Sequence, residues 1–370
     1  MSLSRGINGY TAALAVDRAV GELRRGRAVR VIGEAGGSEL VVAAVEAAQP
    51  SLLRRLEASG RELLLLLTPE RAHAAELVDE AQGPVAVTVP AGSPLETLRA
   101  LASMSPVEPA QTLHVNVRPA FAAIVAAAFQ LAKAGRLLPA LVGIESAGIE
   151  DASLLAIPAE VIEHNARLTR HSLKRMSQSR VPLADALDCE LALFRDEHGL
   201  GEHVAVIIGR PRFDEVIPVR LHSACLTGDL LGSMRCDCGE QLRTAVARIA
   251  ELGGGVLLYL DQEGRGIGLA NKLRAYALQD AGLDTIDADR HLGFLADERN
   301  YDVAAALLHE LGISRIKLMT NNPQKISALQ AHGIEVVGRL PLIGHANSYN
   351  ERYLKTKRER AGHLAEEPEA

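Results

Sequence analysis

The chain has 370 residues, 48% of them hydrophobic and 23% charged, and 40 Lys and Arg against 46 Asp and Glu give a net charge of −6. That length predicts two domains or three, and the composition excludes a fibrous, collagen-like or largely disordered chain. A duplex-binding domain carries a basic excess. This chain has none, so nucleic acid is not an expected partner, and only a local basic patch for a phosphorylated ligand stays open.

The longest apolar runs are Leu63–Leu67 and the Ala-rich stretch Phe121–Phe129. A membrane span needs about 20 apolar residues, so no membrane partner is expected. The opening MSLSRGINGYTAALAVDRAV lacks the apolar core and cleavage site of a signal peptide. The expected location is the cytoplasm, where thiols stay reduced.

In chain order, Ala12–Arg25 is apolar at helical spacing and Ala28–Ile32 reads as a short strand. Leu63–Leu67 and Val85–Val89 read as buried strands, and Ala120–Ala134 as a buried helix. Ile162–Ser179 is polar and basic, a helix or linker most simply read as a solvated face. Beyond it, Glu190–Phe194 and Val204–Ile208 are strands about a hairpin apart, and Ile217–His222 is another. Gln241–Leu252 has helical periodicity. Val256–Leu260 is a buried strand, followed by DQEGRGIG and the helix Leu269–Asp280. Arg315–Met319 is a strand, then TNNPQ, the helix Lys325–Ala331 and the strand Ile334–Val337. This strand–loop–helix alternation predicts an α/β arrangement with ligand loops at strand ends. The last eight residues form an acidic tail expected to fray.

Four cysteines are present: Cys189, Cys225, Cys236 and Cys238. Cys189 stands in the alternating run CELALF and reads as core. The other three fall within 14 residues, which in a reducing compartment favours a metal over disulfides. Thiolates select zinc, and three protein ligands leave the open position that a catalytic zinc needs. Two other readings stand beside this one: a structural zinc closed by His222, or three unrelated core cysteines. A zinc knuckle would lack its fourth ligand and any aromatic stacking surface, because aromatics are 3% of the chain and Trp is absent.

Three loops carry candidate chemistry. Glu263–Gly268, EGRGIG, joins a strand to a helix; its glycines and helix-start amides suit an anion and Arg265 suits a phosphate, but it also reads as an ordinary turn. Thr320–Lys325, TNNPQK, occupies a similar place and reads equally as a helix cap. Asp297-Glu298-Arg299 offers a general base and a cation, or a plain surface ion pair at a helix start.

Taken together, RLHSACLTGDLLGSMRCDCGEQL at 220–242, DQEGRGIGLANKLRAYALQ, LGFLADERNY, LMTNNPQK and the run GI-x-VV-x-R-x-PL at 333–342 closely resemble GTP cyclohydrolase II, over about residues 190–365. The implied fold class is α/β: a mixed-sheet cyclohydrolase II domain at 186–370, preceded by an α+β domain at 1–185. The implied reaction opens GTP at C8 with a metal-generated nucleophile, releasing formate and pyrophosphate, as the first step of riboflavin synthesis. Zn2+ on Cys225, Cys236 and Cys238 and Mg2+ on the triphosphate are the implied cofactors, GTP the partner and a homodimer the assembly. Asp297 matches the family's proton acceptor, Tyr276 a tyrosine near the reacting groups, and Arg299 a proposed nucleophile or phosphate stabiliser. A guanidinium is essentially always protonated, so charge stabilisation is the role expected of Arg299. Substrate contacts carry over to Arg220, Leu221, His222, Ser223, Ala224, Gln241, Glu263, Gly264, Arg265, Thr285, Thr320 and Lys325.

The sequence departs from that pattern at three positions. Ala224 stands where the family often has Glu, Asp261 where it often has Arg, and Asp289 where it often has Asn. An anion at 261 costs attraction for a triphosphate. It leaves open a paralogue with another nucleotide or a partial reaction, or a zinc-containing nucleotide-binding regulator. The first half faintly resembles a 3,4-dihydroxy-2-butanone 4-phosphate synthase domain. That family's acidic magnesium-binding run, R-E-x-E-G-D, is reduced here to Gly33–Leu40, GEAGGSEL, with two Glu and no Arg. A non-catalytic role is therefore expected of it.

Overall fold

The structure, a computed structural model, describes residues 9–33, 38–79, 82–103, 117–119, 122–146, 151, 153–168, 173–196, 201–342, 347–351, 355, 359 and 360. The acidic tail, and residues 34–37 of the run compared with the synthase motif, lie outside the described residues.

In chain order the elements are α1 (Gly9–Arg24), β1 (Val29–Ile32), β2 (Glu39–Ala44), α2 (Pro50–Glu57), β3 (Leu63–Leu67), α3 (Pro69–Ala74), β4 (Val85–Val89), α4 (Leu95–Leu101), β5 (Val117–Pro119), α5 (Ala122–Ala134), β6 (Ala140–Glu145), β7 (Leu155–Pro158) and α6 (Ala159–Leu168). Then come β8 (Leu173–Arg180), β9 (Cys189–Asp196), β10 (Glu202–Gly209), β11 (Ile217–Ser223), α7 (Cys238–Glu251) and β12 (Gly254–Leu260). The chain continues through α8 (Leu269–Asp280), α9 (Thr285–His291), α10 (Asp302–Glu310), β13 (Arg315–Met319), α11 (Pro323–Ala331) and β14 (Glu335–Leu340). The chain is mixed α/β, as expected.

It divides into two compact units. Unit 1 is Met1–Leu168 with Ala270–Glu298, and unit 2 is Thr169–Leu269 with Arg299–Ala370. This differs from the expected boundary at 185–186. The main chain leaves unit 2 for α8 and α9, whose partners are in the first half, and returns at Arg299.

Unit 1 is built on a seven-stranded sheet ordered β5-β4-β3-β6-β2-β1-β7, antiparallel except for the parallel pair β1–β7. The five leucines of β3 are all buried because both faces of the sheet are covered. Leu64 and Leu66 join the core that also holds Val16 and Leu23 of α1 and Val125 and Leu131 of α5. Leu63, Leu65 and Leu67 join a second core with Leu53 of α2 and Leu98 of α4.

Unit 2 has a second seven-stranded sheet, ordered β14-β13-β11-β12-β10-β9-β8. The first four strands are parallel and the last three run antiparallel to their neighbours. Helices α10 and α11 cover one face through Leu307, Leu308 and Leu329, and α7 covers the other through Ala245 and Ile249. Cys189 is buried and free beside α7, and burial raises its thiol pKa. Of the segment 162–179, residues 162–168 lie in helix α6 as expected, whereas 173–179 lie in the edge strand β8, exposed from Lys174 onward. Lys and Arg on an edge strand discourage pairing with another sheet. No helix among the described residues is long and apolar enough to cross a membrane.

Candidate active site

Parallel strands put the loops that follow them on one edge of a sheet, where α/β folds bind ligands. In unit 2, β11 pairs in parallel with both β12 and β13, with Ser223 opposite Leu260. The loops after β11, β12 and β13 are the cysteine loop, EGRGIG and TNNPQK. Three motifs scattered over 100 residues therefore meet at one edge because of strand direction alone.

Cys225 follows β11, Cys236 and Cys238 precede or open α7, and the three Sγ atoms lie within 4.8 Å of one another. Among the described residues they are the only group of three or more His, Cys, Asp or Glu side chains so placed. Cys225 Sγ is 3.7 Å from Cys236 Sγ. Tetrahedral zinc with Zn–S of about 2.3 Å sets its sulfurs about 3.8 Å apart, so the donor type and the spacing both fit zinc. The cradle is close. A Cβ on Gly228 would lie 2.8 Å from Cys236 Sγ and 3.1 Å from Cys225 Sγ, and one on Gly239 would meet the Gly228 carbonyl oxygen at 2.1 Å. Two glycines thus let the Leu226–Leu230 turn and the start of α7 press together under the sulfurs. Cys225 Sγ also accepts from the Gly228 N–H at 3.3 Å, and Cys238 occupies the first turn of α7, where a thiolate is favoured. The neighbouring Cys225 holds the Cys236 thiol pKa up, a cost that a bound cation removes.

The Leu226–Leu230 turn is π-helical, a form frequent at functional sites, and it carries a residue the sequence reading missed. Asp229 accepts from the Cys225 backbone N–H at 2.9 Å, from Tyr259 Oη at 3.0 Å and from His222 Nε2 at 3.1 Å. An ionised carboxylate only accepts, so His222 donates through Nε2 and its Nδ1 carries a lone pair. Burial lowers the His222 pKa and keeps it neutral; its ring stacks on Tyr259 at 5.5 Å. Among the described residues neither ring nitrogen of His222 belongs to the cluster of ligand atoms formed by the three cysteines, so His222 does not close that site. A Cys and an Asp four residues on, around a Gly, were the only signal for this hub.

Glu263 is buried and bridges two motifs. It accepts from the Leu226 N–H at 2.6 Å and from the Gly264 N–H at 3.1 Å. Gly264 and Arg265 both sit in the left-handed region, with φ of 63° and 60°. For Arg265 that is strained backbone, which clusters at ligand sites.

Arg220 is buried, and desolvation pushes its pKa down to about 10. It donates to the Met319 carbonyl at 2.9 Å and to Gln241 Oε1 at 2.7 Å, and Gln241 donates to Asp237 between two cysteines at 2.6 Å. Arg220 Nε, His222 Nδ1 and Ser223 Oγ are buried polar atoms without a hydrogen-bond partner. Side chains alternate along a strand, so Arg220 and His222 share one face of β11 and Ser223 takes the other. Lys325 donates to the Leu221 carbonyl at 2.8 Å, and the Ala224 N–H to Leu260 at 2.8 Å. Thr320 Oγ1 accepts from the Asn322 N–H at 3.0 Å, and Asn322 caps α11. Lys325 and Arg299 both lie over the Tyr301 ring, at 5.7 and 5.5 Å, a second group absent from the sequence reading.

A sequence profile of the family described as "GTP cyclohydrolase II" matches residues 174–341. A GTP cyclohydrolase-2 of Azospirillum brasilense is 42% identical over 95% of this chain and 94% of its own. The chain belongs to the GTP cyclohydrolase II family. It is accordingly a GTP cyclohydrolase II enzyme, hydrolysing GTP on the riboflavin pathway. A GTP cyclohydrolase-2 of Xylella fastidiosa (strain 9a5c) is 41% identical over 96% of this chain and 88% of its own. One of Shewanella amazonensis is 56% identical over only 47% of this chain, yet 85% of its own. Relatives of that name thus align over nearly the whole chain in two cases and over about half of it in the third. A solved two-domain 3,4-dihydroxy-2-butanone 4-phosphate synthase from A. baumannii covers 89% of this chain and 99% of its own at 17% identity. Its TM-score of 0.32 is a level from which nothing is carried over.

The remaining expected cyclohydrolase II residues fall in unit 1. Tyr276 is on α8 with Lys272 Nζ 5.7 Å from its ring centre, and Thr285 opens α9, which Asp284 caps. Asp297 lies just before the chain re-enters unit 2. Of the departures, Asp289 is buried on α9, and Asp261 donates its backbone N–H to His203 Nδ1 at 3.1 Å.

Proposed function

We propose that this enzyme converts GTP to 2,5-diamino-6-(5-phosphoribosylamino)pyrimidin-4(3H)-one, formate and pyrophosphate, with zinc on Cys225, Cys236 and Cys238. The observation that carries this is the three-thiol cluster, at zinc spacing, on the strand edge where the EGRGIG and TNNPQK loops also meet. Three waters are consumed: two open the ring at C8 and release formate, and one cleaves the α–β phosphate link. Bound zinc supplies Lewis acidity and brings coordinated water near neutrality in pKa.

The chain's own groups supply the rest. The Arg220–Gln241–Asp237 relay and the Asp229 hub fix the metal loop before substrate arrives, which lowers the reorganisation needed during reaction. Arg220 to Ala224, Gln241 and Thr285 are taken as GTP contacts on the resemblance to the family. Glu263, Gly264, Arg265, Thr320 and Lys325 shape the triphosphate end. Asp297 takes the proton, Tyr276 orients the reacting group, and Arg299 stabilises charge at the α-phosphorus. Magnesium arrives on the triphosphate. The enzyme works as a cytoplasmic homodimer, and its first half has no synthase activity.

Cys236→Ser tests the reading: bound zinc and GTP turnover both fall to background while the chain stays folded. Normal turnover at normal zinc content contradicts the ligand assignment. Zinc retained without any GTP turnover in the wild type favours the nucleotide-binding regulator.

A further inference from the structure

We infer that the first half of this chain is a positioning scaffold for the cyclohydrolase reaction, acting through Lys133, Thr68 and Arg71 on the segment that ends in Asp297. The inference rests on the proposed roles of Asp297 and Tyr276. All the contacts that carry it lie within unit 1.

Lys133 of α5 donates to Glu298 Oε1 at 2.6 Å, with both side chains mostly buried. The same oxygen accepts from the Leu295 N–H at 2.9 Å. Glu298 thereby closes a short ring of chain with Asp297 inside it, and Lys133 fixes that ring from outside. Lys133 Nζ also lies 5.9 Å from the ring centre of Phe294, which is fully buried.

Four residues upstream of Asp297, Gly293 is pressed into the first half. Its φ is +88°, and a Cβ there would sit 2.9 Å from Thr68 Oγ1, 3.2 Å from Pro139 Cγ and 3.3 Å from Arg71 Cβ. Thr68 Oγ1 donates to the Gly293 carbonyl at 2.9 Å, and the buried Arg71 guanidinium donates to the His291 carbonyl at 2.9 Å. Arg71 is itself braced by the Leu101 carbonyl at 2.7 Å. Helix α8, which bears Tyr276, is tied at its other end: Arg274 meets Glu46 at 3.1 Å, and Asn271 donates to the Arg136 carbonyl at 3.1 Å.

The first half thus makes specific polar bonds to the segment 291–298 that leads to Asp297. Bonds of this kind hold a catalytic group in place rather than create one. A shift of about 1 Å in such a group costs on the order of 100-fold in rate.

The test is steady-state GTP hydrolysis by full-length, zinc-loaded protein carrying Lys133→Ala, Lys133→Arg, Thr68→Val or Asp297→Asn. Zinc content and thermal melting are recorded for each. Lys133→Ala is expected to lower kcat about 10- to 100-fold with KM and zinc content unchanged, and Lys133→Arg to recover most of it. Thr68→Val keeps the shape but removes both the donor to Gly293 and the α3 cap that accepts from the Arg71 N–H at 3.3 Å, and it is expected to lower kcat about 2- to 10-fold. If Asp297→Asn is inactive while Lys133→Ala and Thr68→Val keep wild-type kcat below their melting transitions, the scaffold inference is overturned. A fully active Asp297→Asn instead overturns the site reading on which it rests.

Discussion

Gly228→Ala is the smallest change that reaches the metal loop. The new Cβ would lie 2.8 Å from Cys236 Sγ, against the 3.4 Å at which ordinary contact begins, a deficit of about 0.6 Å. It would also lie 3.0 Å from Cys238 Cβ and 3.1 Å from Cys225 Sγ, so moving one ligand away brings no relief at the others. Zinc sites hold their ligand distances to about 0.2 Å, so the required shift is about three times the tolerance. Overpacking costs about 1–3 kcal/mol, and if it falls on the bound state, zinc affinity drops by about 5- to 150-fold. The assay is zinc competition with a chromophoric chelator. Gly232→Ala serves as the control, because that glycine has φ +66° but nothing within 4 Å; there only backbone strain of about 1–2 kcal/mol is paid, and zinc affinity holds. Unchanged zinc affinity in Gly228→Ala would refute the idea that the three sulfurs close around one ion.

Other outcomes follow from the same geometry. Asp229→Asn keeps the size of the hub but cannot accept three hydrogen bonds, so zinc affinity should fall about 10- to 100-fold by the same competition; a wild-type value would show that the hub is incidental. Burial, and secondarily Arg71, pushes His291 down to about 4. The unfolded chain takes up that proton below about pH 6.5 and the folded chain only near pH 4. Stability is therefore lost as pH falls through that window and is flat above it; melting temperatures from pH 4 to 8 should show the slope in the wild type and lose it in His291→Gln. Asp261→Arg restores a cation beside the triphosphate loop and should lower KM for GTP, and an unchanged KM would show that residue 261 faces away from the phosphates.

Much of unit 2 is legible from pattern. The aliphatic runs at 204–208, 217–222 and 256–260 announce buried strands; a Gly-rich loop follows the strand at 256–260, and an Asn-rich one follows the strand at 315–319. Strand direction, which brings those loops to one edge, is not local information, and it is what turns three motifs into one site. The polar segment 173–179 misleads because an edge strand exposed on its outer side lacks the alternation that marks a half-buried one. Asp229 and Tyr259 escape notice because their roles depend on a π-helical turn that no periodicity signals. The ties from Thr68, Arg71 and Lys133 to residues 291–298 span more than 160 positions, and single polar residues in α3 and α5 give no hint of so distant a partner.

The central claim is that this chain opens GTP through a three-cysteine zinc site. Incubating the full-length zinc-loaded protein with GTP and magnesium, and counting products by mass, tests it most directly. The account predicts the diaminopyrimidine with one formate and one pyrophosphate per GTP, all abolished by Cys236→Ser. Pyrophosphate without formate, or unchanged GTP beside bound zinc, would contradict it.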